Sequence, residues 1–279
     1  MIVWGGSLQS CRWSKPNYTS ESRPFIAAVM FNTFMVASGL CWTLTYILII
    51  RQGFRERTYG MPLAALAANL SWEFIFTLVH PHGFPQVAVN AIWLGFDLVI
   101  VWQLLQFGPA EWRWPRWLFT LTFVGALSLA FPLILLITYE FAATDKMSGA
   151  YAAFGQNLMM SILFIAWLRF RGTRGQSTAI ALAKLLGTLL ASVGFLLFTA
   201  LGKSPLMIFL FAAIAAVDLK YLMLLQSGWR PRSLSSCSCP CCLAHEADSV
   251  PLGVTQNLVN GLGELNSSPL QGSGEAGVG

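Results

Sequence analysis

The chain contains seven long windows almost free of charge, at residues 25–50, 61–79, 87–107, 118–138, 150–168, 179–201 and 206–226. Each approaches or exceeds the roughly 20 mainly apolar residues that a helix rising 1.5 Å per residue needs to cross a bilayer. Composition points the same way: 10% of residues are charged, against about 25% in soluble domains, and 56% are hydrophobic. So little charge cannot cover the surface of a soluble globule, and a disordered chain would be less apolar. No Gly-X-Y repeat or sustained heptad is present. The windows run continuously instead of alternating in ten-residue strands, as a membrane β-barrel would. The expected fold is therefore all-α, an integral membrane bundle of seven transmembrane helices. Gly, Pro and charge mark the breaks, at Arg51–Gly60, His80–Gln86, Gly108–Trp117, Arg169–Thr178 and Gly202–Pro205. The second and fifth windows each carry several polar residues.

Loop charge sets the expected orientation. Arg51, Arg55, Arg57, Arg113, Arg116, Arg169, Arg171, Arg174, Arg230 and Arg232 fall on one side, and Arg12, Lys15, Arg23, Lys146 and Lys203 on the other. The richer side is cytosolic, which puts the N-terminus in the lumen and the C-terminus in the cytosol. A net charge of +5 scattered through short loops reads as a topology signal and argues against a nucleic-acid partner. Trp112, Trp114 and Trp117 stand where an interfacial aromatic belt is expected. The implied organisation is a lumenal segment at 1–24, a transmembrane domain at 25–226 and a disordered cytosolic tail at 227–279. Arg12, Lys15 and Arg23 interrupt the start before any apolar run, so no cleavable leader is expected. Asn17-Tyr18-Thr19 is a glycosylation sequon on the lumenal side. Cys11 and Cys41 are isolated, whereas Cys237, Cys239, Cys241 and Cys242 crowd into the tail, which is no disulfide framework. That run is compatible with palmitoylation, with zinc binding alongside His245, or with no chemistry at all. It lacks paired Cys-x-x-Cys units.

Five ionisable residues lie inside the windows: Glu73, Asp97, Lys184, Asp218 and Lys220. Each costs about 2.5–3.5 kcal/mol at a helix centre on insertion scales, so such groups face the bundle interior and mark candidate functional sites. Residues three, four and seven apart share a helix face, which gathers Asn69, Glu73, Phe76, Thr77 and His80 into one stripe. Asp97 shares a face with Asn90 and Trp93, and Asp218 with Ile214, Tyr221 and Leu225. From the helical rise, Glu73 lies roughly 18 Å, Asp97 about 15 Å and Asp218 roughly 12 Å from the cytosolic side, which points to one shared cavity. The bland alternative is interhelical hydrogen bonding that fixes packing, worth about 0.6 kcal/mol per bond. Lys184 and Lys220 sit nearer the cytosolic ends and are read as snorkelling.

A carboxylic acid in a dry cavity is held neutral, donates a proton and can later take one back. Trp72, Phe74, Phe76, Trp93, Phe96 and Tyr221 lie close in sequence to these acids, and aromatic faces stabilise cations. Acid and aromatics together suit protonation of a hydrophobic substrate followed by a carbocation cascade. A retinal protein fits poorly, because Lys220 and Asp218 are about 200° apart around one helix. A proton-coupled transporter is the stronger alternative, since acids near the midplane serve proton relays. Transporters commonly carry internal repeats, and no convincing repeat relates spans 1–3 to 4–6 or 5–7.

Four motifs also resemble a known family. Arg55-Glu56-Arg57-Thr58-Tyr59-Gly60-Met61-Pro62 running into Asn69-Leu70-Ser71-Trp72-Glu73, Phe107-Gly108-Pro109-Ala110-Glu111-Trp112, Arg171-Gly172-Thr173-Arg174-Gly175, and Asp218 followed by Tyr221 resemble the fungal membrane-integral terpene cyclases of meroterpenoid and indole-diterpene biosynthesis. The resemblance spans about residues 25–230. It implies a cyclase, of lyase or isomerase type, that protonates the terminal epoxide of a prenylated (farnesylated) polyketide or aromatic substrate. It places the family's two acidic residues on Glu73 and Asp218, and the helix faces and aromatics described above add Asn69, Trp72, Phe76, Thr77, Trp93, Asp97 and Tyr221 as the expected substrate pocket. It further implies a multi-pass protein of the endoplasmic reticulum, in contact with lipid and supplied by an upstream prenyltransferase and epoxidase. Asp218-Leu219-Lys220-Tyr221 lacks a glycine associated with the indole-diterpene branch, which favours the meroterpenoid branch. The Asp-rich diphosphate-binding motifs of soluble terpene synthases are absent, so no metal or cofactor is expected and ionisation begins by protonation.

Overall fold

A computed structural model of the chain describes residues 22–227, with side chains from residue 25 onward. The sequon at Asn17, Arg12, Lys15, Arg230, Arg232 and the cysteine-rich tail lie outside the described residues. Eight α-helices follow one another: α1 Ser22–Glu56, α2 Leu63–Phe74, α3 Gln86–Trp112, α4 Arg116–Glu140, α5 Ala142–Asp145, α6 Ala150–Arg171, α7 Thr178–Phe198 and α8 Pro205–Gln226. A π-helical turn, Ile75–Val79, continues α2, and a 3₁₀ turn, Ala200–Lys203, precedes α8. No strand occurs among the described residues.

Six of the helices are long and apolar enough to cross a membrane: α1, α3, α4, α6, α7 and α8. The window at 61–79 forms instead a shorter apolar helix, Leu63–Val79. Pro62 stands at its start, and His80 N–H closes its π-turn on Ile75 C=O at 2.7 Å. Large apolar side chains cover the outside of the bundle, among them Leu129, Leu136 and Phe209 at 60–70% exposure, as a lipid-facing surface requires. Only 11% of the apolar window of α4 is buried.

Local chemistry starts and stops the helices. Ser177 Oγ accepts from Ile180 N–H at 3.3 Å to cap α7, and Ser204 Oγ accepts from Met207 N–H ahead of Pro205 to cap α8. The Asp145 carboxylate accepts from Ala150 N–H at 3.1 Å at the start of α6. Helices α1 and α7 share the most extensive interface. A Cβ at Gly187 would stand 2.8 Å from Trp42 Cδ1, and Ser38 Oγ donates to Gly187 C=O at 2.7 Å. A small residue here lets the two backbones approach, as between membrane helices generally, and sets the position of the Trp42 indole.

Three motifs distant in sequence meet at one end of the bundle. The Arg171 guanidinium lies 4.7 Å from the Tyr59 ring centre and 4.3 Å from that of Trp167, ion-pairs with Glu111 and donates to Thr58 Oγ1 at 2.6 Å. Arg174 donates to the carbonyls of Glu56 and Arg57, Gly175 N–H to the Glu56 carboxylate, and Trp112 Nε1 to the Tyr59 hydroxyl. The opposite end carries a second tie. Asn90 Nδ2, 3.0 Å from His82 Nδ1, donates there and leaves His82 Nε2 to donate to Ser148 C=O at 3.2 Å. His82 stacks on Phe76 with ring centres 4.7 Å apart, and burial pushes its imidazole down to about 4.

Candidate functional site: a carboxyl-bearing cavity between four helices

Trp42 and Tyr46 of α1, Asn69 and Glu73 of α2, Trp93 of α3, and Ala153, Gln156, Asn157 and Met160 of α6 line a partly open cavity whose empty space, including what opens to the outside, is about 290 Å³. Helical spacing explains the pairs: 42 with 46, 69 with 73, and 153 with 156, 157 and 160 each share one face of their helix. Glu73 is 2% exposed, and its Oε2 has no hydrogen-bond partner among the described residues. An unpaired buried carboxyl oxygen is costly in an apolar interior and marks a group kept for chemistry.

Beside Glu73 a polar network is fully engaged. Asn69 Nδ2 donates to the Tyr46 hydroxyl and to both Asp97 oxygens, at 3.2 and 3.0 Å. Asp97 is fully buried directly behind Asn69 and Tyr46. The Tyr46 ring lies 6.1 Å from Trp93 and 5.6 Å from Phe96. The cavity therefore combines a free acid, two indoles, a phenol and neutral amides, an environment that tolerates a carbocation and offers few nucleophiles to trap it.

The structure brings together Glu73, Asn69 and Trp93 of the residues singled out in the sequence, with Asp97 one layer behind. It sends the others elsewhere. Asp218 meets Lys184, whose Nζ donates at 2.7 and 2.8 Å to its two oxygens and at 2.7 Å to Ser161 Oγ. Both ionic side chains are 1% exposed, so Lys184 does not snorkel: it lies on the interior face of α7, opposite the acid of α8. Only Lys220 is exposed. One cavity shared by three acids is thus corrected to a cavity lined by Glu73 alone, with Asp97 behind its wall and Asp218 paired with its own lysine. The pair still lies close to the cavity wall, since Lys184 Nζ is 5.7 Å from the centre of the Trp42 ring.

Trp72, Phe76 and Thr77 do not line the cavity. Trp72 precedes Glu73 by one residue, about 100° around the helix, and its Nε1 donates to Gly149 C=O at 3.2 Å. Phe76 packs on Trp72 and His82, and Thr77 Oγ1, in the π-turn, has no partner among the described residues. That turn departs from the 3.6-residue period on which the sequence stripe rested. Tyr221 donates to Gln176 Oε1 at 2.9 Å and packs on Phe164. Trp42, Tyr46, Gln156, Asn157 and Met160 are lining residues that the sequence reading missed. The available signals were the Trp42/Tyr46 spacing and the polar pair inside the fifth window.

Among the described residues, no group of three His, Cys, Asp or Glu side chains is placed to hold a metal ion. No solved structure matches the chain. Among curated relatives, the "Pyr4-family terpene cyclase mfmH" of Annulohypoxylon moriforme is 32% identical over 58% of this chain and 68% of its own length. "Terpene cyclase macJ" of Penicillium terrestre is 31% identical over 66% and 74%. "Terpene cyclase ascF" of Acremonium egyptiacum is 42% identical over shorter shares, 32% and 33%. These matches do not favour the transporter reading, and they support an enzyme that catalyses cyclisation. A family model describing Pyr4-like transmembrane terpene cyclases matches residues 19–230, and the chain belongs to that family.

Proposed function

We propose that the cavity protonates the terminal epoxide of a farnesylated polyketide or aromatic substrate and directs the resulting cation through cyclisation, as one step of meroterpenoid biosynthesis. Glu73 is the proton donor. The observation that carries this assignment is its buried Oε2, unpaired in a chamber whose other lining groups are neutral. Proton transfer to the epoxide oxygen leaves a hydroxyl on the product and a cationic centre within reach of Trp42 and Trp93. Indole faces stabilise that charge at about 0.5–2 kcal/mol per contact. Asp218 serves as a positioning residue: with Lys184 and Ser161 it backs the wall formed by Trp42 and Asn157.

The same reading includes seven membrane passes, with the N-terminus lumenal and the C-terminus cytosolic, in the endoplasmic reticulum. It is supported by the ends of the Leu63–Val79 helix. Thr58 just before it accepts from Arg171 at one end of the bundle, and His82 just after it donates to Ser148 at the other. Arg55, Arg57, Arg171 and Arg174 cluster at the first of these ends, as a cytosolic face requires. A prenyltransferase and an epoxidase would supply the substrate.

Protonation followed by proton loss conserves mass. Yeast microsomes containing the chain, given an epoxyfarnesyl ester of an aromatic acid, should yield a new cyclic isomer of unchanged mass. Recovery of the open epoxide or its hydrolysed diol alone, as from empty microsomes, would refute the proposal.

A further inference from the structure

A cyclisation begun by an acid ends only when a base removes a proton, so the cavity needs a second proton-handling group distinct from the first. We infer that the Tyr46 hydroxyl, backed by Asp97 and held by Asn69, is the group that ends the cascade. This rests on the reading of Glu73 as the initiating acid.

Position, partners and isolation carry the inference. The Tyr46 hydroxyl borders the cavity across from α6, and its ring packs between Trp93 and Phe96. Asn69 donates to its oxygen, which leaves the phenolic proton free to be given away. Asp97 lies behind it on the same Asn69 amide, which donates to both of its oxygens. No lysine or arginine pairs with Asp97 among the described residues, in contrast to Asp218. The two buried acids differ in their partners: both oxygens of Asp97 accept from Asn69, which favours its carboxylate form, whereas Glu73 Oε2 accepts nothing among the described residues and keeps its proton. A packing role would need only the Asn69–Tyr46 bond and would give no reason to bury a carboxyl group behind it without a cation, at the cost such groups carry in a membrane interior.

The step balances. A C–H bond beside the final cationic carbon breaks, and its electron pair forms the product C=C bond. The released proton goes to the Tyr46 oxygen as the Tyr46 O–H proton moves to the Asp97 carboxylate. At the start Glu73 has become a carboxylate by protonating the epoxide; at the end Asp97 is the acid. The resting state returns when that proton passes back from Asp97 through Tyr46 to Glu73, both of which border the cavity. Tyr46 touches the reacting atoms, whereas Asn69 acts through Tyr46 and Asp97 as a positioning residue.

Tyr46→Phe and Asp97→Asn, compared with wild type at equal amounts of folded protein, test this with the epoxyfarnesyl aromatic ester in microsomes. Each variant should still open the epoxide in its first turnover, but steady-state consumption should slow because Glu73 is no longer recharged through the pair. Each should divert at least half of the product to isomeric alkenes or to alcohols in which water has captured the cation. The wild-type product ratio in both variants, at whatever rate, would overturn the assignment, because a structural role lowers rate without redirecting the last step. Loss of first-turnover epoxide opening in both would also overturn it, since that places the pair in initiation. Glu73→Gln is the separating control. Conversion that survives there counts against the initiating acid, while the product ratios of the other two variants still decide Tyr46.

Discussion

Removing the ammonium of Lys184 leaves the Asp218 carboxylate buried without its partner, and the stability of the bundle should register the loss. Lys184 Nζ makes bonds of 2.7 and 2.8 Å to Asp218 and of 2.7 Å to Ser161, with both charged side chains 1% exposed. At 2.7 Å and an effective dielectric of about 20, the pair's Coulomb attraction is roughly 6 kcal/mol, most of it offset by desolvating the two ions. Breaking such a pair from one side costs about 3–5 kcal/mol, whereas replacing both members by apolar residues of similar volume is often neutral. Lys184→Met should therefore lower the melting temperature in detergent by about 6–20 °C, taking 2–4 °C per kcal/mol for a domain of this size. The Lys184→Met/Asp218→Leu double variant should recover most of that loss. Fluorescence-detected size-exclusion after a heating series reads all three proteins without purification. A Lys184→Met protein as stable as wild type, or a double variant no better than the single, would refute the buried-pair reasoning.

Two other outcomes follow from the ends of the bundle. Arg171→Lys keeps the charge but loses the planar stacking between Tyr59 and Trp167 and the paired donation of one guanidinium nitrogen to Glu111 and Thr58. It should lower thermal stability by about 2 kcal/mol, and lysine behaving like arginine would contradict the stacked geometry. His82 is neutral when folded down to about pH 4, against an ordinary value of 6.5. The unfolded chain thus binds the extra proton between those values, and stability must fall as pH drops from 6.5 toward 4, by about 3 kcal/mol at most. A melting-temperature profile over that range should flatten in His82→Asn; an unchanged slope would remove His82 as its source.

The helices were legible because an uncharged apolar run in a bilayer has few alternatives, and the six long ones coincide with sequence windows. Leu63–Val79 read less well, since its π-turn departs from the period that a sequence stripe assumes. For the site, Asn69, Glu73 and Trp93 were legible because polar or aromatic residues at mid-span must face inward. Which cavity an inward residue reaches depends on which helices are neighbours, and single-helix periodicity does not contain that. Asp218 illustrates the limit: its burial was foreseeable, but its neutralisation by Lys184 required knowing that α7 lies against α8. Trp42 and Tyr46 were hidden in an ordinary apolar helix until α1 was seen to pack against α3 and α7. The three arginine-, glutamate- and tyrosine-bearing loop motifs, distant in sequence, turn out to be one interlocked end of the bundle.

In the proposed mechanism Glu73 supplies the proton that opens the epoxide. Glu73→Gln preserves size and hydrogen-bonding capacity while removing the acidic proton, so it isolates that step. With the epoxyfarnesyl aromatic ester in microsomes, initial epoxide consumption by Glu73→Gln should fall at least about 100-fold at wild-type amounts of folded protein. Cyclisation by Glu73→Gln at a rate close to wild type would contradict that mechanism.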